Sequence, residues 1–319
     1  MPFNDIKGQK AAVEVIMSYK AGNRIEGGYL FTGPRGVGKR MTAVILSQSL
    51  NCLSSQYDAC GLCPSCVKIA NGQHPDVHII LAEEGQIKIE QIRQLQKEIS
   101  LKAYEGKFKL FIIDNAHMLN AEAANCLLKV LEEPPKGSLI ILVTDKPGLL
   151  FKTVVSRCKV IRFKAQERTV LKKCLEDEYG LNTELAHFLA YFCEGRFGEA
   201  IKLKDSNILE QKNNIINKLI TPGSFDMEGL GIEDKKTFSF VINIVNAWFR
   251  DIYLIKNGLP CSEVINFDRK DDLKKAAGYF SSLNLEKILS ALPSAAFFLE
   301  RNINTRLLLH NLKVQIWQN

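Results

Sequence analysis

The stretch that decides the fold is a glycine-rich turn that follows an apolar strand, Tyr29-Leu30-Phe31-Thr32-Gly33-Pro34-Arg35-Gly36-Val37-Gly38-Lys39. A helical pattern from Met41 to Leu50 comes next, and this strand–turn–helix order is the setting of a phosphate-binding (Walker A) loop. The three glycines Gly33, Gly36 and Gly38 let backbone N–H groups curl around a phosphate at the helix N-terminus. The ammonium of Lys39 would reach the outer phosphate oxygens.

The position after the lysine departs from this pattern. A Ser or Thr there normally places its hydroxyl on Mg²⁺, whereas Arg40 is a cation without a lone pair. Thr42 cannot replace it, because two residues along a helix turn the side chain by about 200°. Two alternatives stay open: the loop still binds ATP or ADP without a tightly held Mg²⁺, or it only joins strand to helix.

A second strand ends in an acid, as in a Walker B motif, Leu110-Phe111-Ile112-Ile113-Asp114-Asn115. Asp114 completes the predicted, degenerate nucleotide site. ATPases of this kind place Glu after that Asp to polarise the attacking water, and Asn115 has no basic carboxylate. We therefore expect that the chain itself is not an active ATPase.

The order of strand and helix patterns predicts an α/β half followed by helices. Residues 1–165 alternate short β-rich runs with helical patterns, which is typical of a parallel sheet flanked by helices. The predicted strands are Gly28–Phe31, Val77–Leu81, Lys109–Asp114, Ser138–Val143 and Lys159–Phe163. We expect a small helical domain at 166–206 and a third, all-helical domain at 207–319, with predicted helices at 235–255, 269–280 and 285–317.

Four cysteines lie close together in an insert at residues 52–66: Cys52, Cys60, Cys63 and Cys66. Two overlapping C-x2-C steps in a turn-rich loop are typical of four thiolates that close a tetrahedron around Zn²⁺. Four thiolates leave no open coordination position, so the predicted zinc is structural. Buried or redox-active thiols are the alternative. We expect the remaining cysteines to be packing residues.

The composition also predicts the cellular location of the protein and one feature of its surface. The 319 residues carry a formal net charge of +7, and no apolar run approaches the roughly 20 residues that cross a bilayer, so we expect a cytoplasmic protein. Between Lys146 and Lys173 there are nine Lys or Arg and one acid, Glu167. This stretch is either a basic face for a polyanion or a solvated face.

Several motifs, in this order along the chain, resemble the AAA+ clamp-loader subunits of bacterial DNA polymerase III. Besides the two nucleotide motifs and the cysteine insert, they are Phe3-x-Asp5-Ile6-x-Gly8-Gln9, His74-Pro75-Asp76, Leu127-Leu128-Lys129-x-Leu131-Glu132-Glu133-Pro134-Pro135 and Ser156-Arg157-Cys158. The resemblance implies an AAA+ domain at 1–165, a helical lid at 166–206 and a collar at 207–319 that holds subunits together. It covers essentially the whole chain.

The resemblance also implies a role for Arg157. In this family the arginine of the Ser-Arg-Cys motif acts as an arginine finger, offered in trans to the ATP held by a neighbouring motor subunit. The ATP-site departures at Arg40 and Asn115, and Gly198 where motor subunits carry a second sensor arginine, resemble the subunit type that does not hydrolyse ATP. An arginine in a basic stretch is otherwise usually just solvated.

The partners implied by the resemblance are motor (gamma/tau-type) and delta subunits in a hetero-pentamer, the sliding clamp indirectly, and primer-template DNA, with no membrane. Two rival functions stay open. The first is a motor-type subunit that hydrolyses ATP with altered ligands, which Arg40 and Asn115 disfavour. The second is a zinc-dependent DNA-binding module that uses the cysteine insert and the basic stretch.

Overall fold

The computed structural model describes residues 2–22, 25–221, 225–226, 229–232, 234–301 and 303–317. The chain divides into two compact units. We call residues 1–167 with 196–199 the sheet unit, and residues 168–195 with 200–319 the helical unit. The finer division of the helical region at 166–206 and 207–319 stays a prediction.

The sheet unit contains a five-stranded parallel sheet with the strand order β2-β3-β4-β1-β5. All five predicted strands are confirmed, with ends that shift by at most one residue. The strands are β1 Gly27–Thr32, β2 Val77–Ile80, β3 Lys109–Asp114, β4 Ser138–Thr144 and β5 Lys159–Arg162. The helices that accompany them are α1 Lys10–Ala21, α2 Lys39–Asn51, α3 Pro64–Ala70, α4 Ile89–Ile99, α5 Ala121–Glu132 and α6 Lys152–Val155.

Helices cover the sheet on both faces, which is why its inner strands are almost continuously apolar. Successive side chains of a strand point to opposite faces. Leu110 and Ile112 of β3 therefore join the core beneath α1 and α2. Phe111 and Ile113 join the core beneath α4 and α5. The parallel arrangement brings the carboxyl ends of all five strands to one edge of the sheet.

The helical unit confirms the predicted all-helical continuation. Its helices are α7 Arg168–Asp177, α8 Thr183–Phe192, α10 Ile208–Ile220, α11 Lys235–Lys256, α12 Lys270–Tyr279, α13 Ser282–Glu300 and α14 Thr305–Trp317, and α9 Phe197–Leu203 is divided between the two units. Among the described residues, α11 alone is long and apolar enough to cross a membrane. More than half of its apolar window is buried, as in a core helix.

The prediction of one helix at 285–317 was wrong, because two helices occupy this region. The first helix ends where the N–H of Ile303 donates to the carbonyl of Phe298. The second helix begins with an N-cap, because Oδ1 of Asn304 accepts a hydrogen bond from the N–H of Arg306. Asn is a preferred residue at helix starts, so Asn304 was the available signal.

Asp76 anchors a loop beside β2 and gives the His74-Pro75-Asp76 motif a structural role. Its buried carboxylate accepts three backbone hydrogen bonds, from Tyr104 (2.7 Å), Glu105 (2.9 Å) and Gly106 (2.8 Å). Burial alone would raise the pKa of Asp76, but these N–H groups stabilise the charged form and hold the pKa below its ordinary value. The stability that this carboxylate contributes is therefore present at neutral pH and is lost as the pH falls through its folded-state pKa.

We expect Asp76→Asn to lower the free energy of unfolding at pH 7 by about 1–3 kcal/mol, because an amide cannot accept from all three N–H groups. The difference from the unsubstituted chain should begin to shrink below about pH 4, near the ordinary pKa of an unfolded aspartate, and shrink further as the pH falls through the lower pKa of folded Asp76. Urea unfolding at pH 7 and at a pH below that folded-state pKa measures this. Asp177→Asn, at an exposed position, is the control. An equal loss at both pH values would contradict the electrostatic role.

Candidate functional sites

The phosphate loop lies where β1 ends, at the same edge of the sheet as Asp114 at the end of β3. Its three glycines have positive φ angles of 147° (Gly33), 81° (Gly36) and 97° (Gly38). A Cβ atom at Gly33 would lie 2.2 Å from the carbonyl oxygen of Phe163, so only glycine fits there. The loop therefore has the backbone path that the sequence predicts.

Lys39 is folded back onto its own loop. Its Nζ donates to the carbonyls of Gly33 (2.6 Å) and Pro34 (2.7 Å), and the residue is buried. Burial lowers the pKa of Lys39, although the carboxylates of Asp145 and Asp114 oppose this change. The ammonium thus lies within the loop and donates to the carbonyl oxygens of the loop itself.

Arg40 pairs with the acid at the end of β3. Its Nη1 lies 3.4 Å from Oδ2 of Asp114, with side chains that are 49% and 15% exposed respectively. The hydroxyl of Thr42 donates to the carbonyl of Gly38 at 2.9 Å and is buried. The carboxylate expected near Mg²⁺ is therefore bound to a cation, and the nearby hydroxyl is bound to backbone.

Residues 196–199 lie directly against the phosphate loop. The N–H of Gly198 donates to the carbonyl of Gly36 at 2.8 Å. A Cβ atom at Gly198 would lie 2.7 Å from that oxygen, and one at Gly36 would lie 2.4 Å from Cγ of Glu199. The contact thus requires small residues on both sides. Glu199 was not predicted, since nothing local in the sequence indicates that it approaches the loop.

His117 and Thr144 also lie at this edge of the sheet. Nδ1 of His117 lies 3.0 Å from Oγ1 of Thr144, at the end of β4, and 3.7 Å from Oδ1 of Asp145. Burial lowers the pKa of His117, with Asp145 acting in the opposite direction, so the imidazole is neutral at pH 7. Asn115, in a left-handed conformation, donates its N–H to Asp114. The sequence prediction omitted Thr144, because the predicted strand ended one residue earlier.

Arg157 lies on the surface, after α6. Its Nε donates to Oε1 of Glu132 at 2.7 Å, and its Nη1 donates to the carbonyl of Thr153 at 2.9 Å. The backbone behind it packs on β1. A Cβ atom at Gly28 would lie 3.3 Å from the carbonyl oxygen of Arg157 and 3.2 Å from Sγ of Cys158. The turn of the Ser-Arg-Cys motif is therefore held against the sheet while its guanidinium faces outward.

The structure brings the four predicted cysteine ligands together. The Sγ atoms of Cys52, Cys60, Cys63 and Cys66 all lie within 4.8 Å of one another, and those of Cys60 and Cys66 are 4.0 Å apart. Thiolates around a tetrahedral zinc, with bonds of about 2.3 Å, are about 3.8 Å apart. The cluster could therefore hold a metal ion with small adjustments.

Local hydrogen bonds favour a thiolate at Cys60, whereas burial disfavours one at Cys66. The N–H groups of Cys63 and Leu62 donate to Sγ of Cys60 and lower the pKa of Cys60 to about 6. Burial raises the pKa of Cys66 to about 12.

An ion pair connects the end of the insert to the loop that Asp76 anchors. Nζ of Lys68, in α3, lies 2.8 Å from Oε2 of Glu105 in that loop.

A parallel sheet of order β2-β3-β4-β1-β5, with a phosphate loop after β1 and an acid after β3, defines a P-loop protein of the AAA+ class. Residues 8–167 match the family described as "DNA polymerase III, delta subunit". The chain belongs to this family.

Individual relatives agree with this assignment. The chain is 35% identical to "DNA polymerase III subunit delta'" of Bacillus subtilis (strain 168), over 61% of this chain and 59% of that protein. It is 32% identical to "DNA polymerase III subunit tau" of Escherichia coli (strain K12), over 77% of this chain and 38% of that protein. These alignments span less than two thirds of either relative.

A solved structure shares the fold. It is the crystal structure of a DNA polymerase III gamma subunit-related protein from Thermotoga maritima, with a TM-score of 0.50 and 19% identity. The match covers 96% of this chain and 98% of that one.

Proposed function

We propose that the chain is a delta-prime-type subunit of the DNA polymerase III clamp loader, which helps load the sliding clamp onto primed DNA without hydrolysing ATP itself. The observation that carries this proposal is the contact of Arg40 with Asp114 in the phosphate-loop region. Hydrolysis of ATP by this class needs a metal held between a hydroxyl and an acid. Here a guanidinium pairs with the acid instead.

Two further features support a site that has lost hydrolysis. Asn115 stands where a catalytic glutamate is expected, and it has no carboxylate to orient the attacking water. Gly198 contacts the loop through its backbone, in the position where the family resemblance places a sensor arginine. Binding of ATP or ADP without turnover stays compatible with Gly33, Gly36, Gly38, Lys39 and Asp114.

In this proposal the chain supplies the guanidinium of Arg157 to the ATP site of a neighbouring subunit. Its side chain is 34% exposed, so it is accessible to a neighbouring subunit. A planar, permanently charged guanidinium suits the γ-phosphate oxygens of ATP bound by that neighbour. Arginine fingers of this kind raise turnover by about 10³-fold or more.

The assembly follows from the same proposal. The partners would be motor subunits of the gamma/tau type and a delta subunit in a hetero-pentamer, working in the cytoplasm on the clamp and primer-template DNA. Residues 166–206 would be the lid and 207–319 the collar. Arg40 supports this type over the motor type, whose ATP site would need a metal ligand at residue 40.

We expect Arg157→Ala to leave folding and assembly intact and to lower the DNA-stimulated ATPase of the reconstituted clamp loader, because the neighbouring ATP loses its finger. Steady-state ATP hydrolysis measures this, with size-exclusion chromatography as the test of assembly. Arg162→Ala, an exposed arginine in the same basic stretch, is the matched control. Equal activity of Arg157→Ala and the control would refute the finger role.

We also propose that Cys52, Cys60, Cys63 and Cys66 hold one structural Zn²⁺. The close approach of the four Sγ atoms and the burial of Cys52, Cys63 and Cys66 support this. Zinc bound by four thiolates has no open coordination position, so its role would be to hold the insert between α2 and α3 in place.

The purified chain should contain about one zinc per molecule, and Cys63→Ala should release it and loosen the insert. Metal analysis and protease sensitivity of residues 52–66 measure the two effects. Cys261→Ala, outside the cluster, should keep the metal. A metal-free chain with a protease-resistant insert would contradict the zinc assignment.

A further inference from the structure

Glu132 and Arg157 form a paired unit on the surface of the sheet unit. Oε1 of Glu132 lies 2.7 Å from Nε and 2.5 Å from Nη2 of Arg157. The carbonyl of Thr153 accepts from Nη1 of the same guanidinium at 2.9 Å. The guanidinium is thus held along one edge by a carboxylate and at one terminal nitrogen by backbone.

We propose that Glu132 is a positioning residue that orients Arg157 for its contact in trans. This inference rests on the proposed function, because it assigns Glu132 an effect only through the arginine finger. It gives a role to an acid in the Leu127–Pro135 motif that neither the fold nor the nucleotide site requires.

The pattern of hydrogen bonds favours positioning over blocking. Within the part of the chain that the structure describes, the contacts with Glu132 and Thr153 use one N–H on each terminal nitrogen of Arg157, so each terminal nitrogen keeps a second N–H that can donate. N–H groups that remain on both terminal nitrogens of a planar guanidinium can still donate to phosphate oxygens. Glu132 therefore occupies the Nε–Nη2 edge of the guanidinium and leaves N–H groups on both terminal nitrogens available.

Both partners are carried by anchored elements. Leu131, the neighbour of Glu132 in α5, is buried, and its Cδ2 would lie 2.6 Å from a Cβ atom at Gly28. The backbone of Arg157 approaches the same glycine. Because both residues belong to segments packed on one point of β1, the backbones that carry the two side chains have a defined relative position. A long arginine side chain otherwise loses much conformational freedom when it binds a phosphate.

The pair contributes little to stability, which separates this role from a structural one. Glu132 is 49% exposed and Arg157 is 34% exposed, and ion pairs of this kind are weak in water. Removing Glu132 should therefore leave folding unchanged and affect only the reaction in which Arg157 takes part.

The test uses the reconstituted clamp loader with Glu132→Ala or Glu132→Gln, each with Arg157 intact and in an Arg157→Ala background. Glu133→Ala is the matched control, since Glu133 is the adjacent exposed acid. The kcat and the KM for ATP of the DNA-stimulated ATPase are measured for every complex. Size-exclusion chromatography reports assembly.

With Arg157 intact, we expect Glu132→Ala to lower kcat about threefold to fivefold without changing KM for ATP. Glu132→Gln keeps an acceptor oxygen and should lose less than about twofold. Glu133→Ala should have no effect. In the Arg157→Ala background, Glu132→Ala should cause no further loss, because its effect passes through the arginine.

Two results would overturn the positioning role while leaving the finger role intact: Glu132→Ala behaves like Glu133→Ala, or it lowers kcat equally in both backgrounds. If Arg157→Ala itself has no effect, the finger role is wrong, and the role of Glu132 is wrong with it.

Discussion

The contact between Arg40 and Asp114 is the constraint on which the account of this chain depends. The parallel sheet brings the ends of β1 and β3 to one edge, so a phosphate loop and an acid meet there. In an ATPase a metal ion lies between them. In this chain a guanidinium lies there, at 3.4 Å from the carboxylate.

The sheet positions both the nucleotide edge and the surface that carries Arg157. Gly28 of β1 leaves space for the backbone of Arg157 and the thiol of Cys158, and the residue next to Glu132 packs on the same glycine. The nucleotide edge and the Arg157 surface are thus both built on β1, whose fully apolar core positions fix them. A substitution at the nucleotide edge therefore does not require any change at the Arg157 surface.

Local patterns predicted the strands, the phosphate loop and the cysteine cluster, because each is encoded within a few consecutive residues. The contacts that connect distant parts of the chain could not be predicted in this way. Arg40 with Asp114, Glu132 with Arg157 and Asp76 with its loop all join residues far apart in sequence. The division of the last predicted helix was missed because residues 301–304 contain neither Gly nor Pro.

The most direct test of the central claim is ATP hydrolysis by the isolated chain with Mg²⁺. A Lys39→Ala chain purified in parallel reports any contaminating ATPase, because the loop lysine is needed for phosphate contact in this class. We expect the two preparations to hydrolyse ATP at the same background rate. Rapid, Mg²⁺-dependent hydrolysis that disappears in Lys39→Ala would contradict the account.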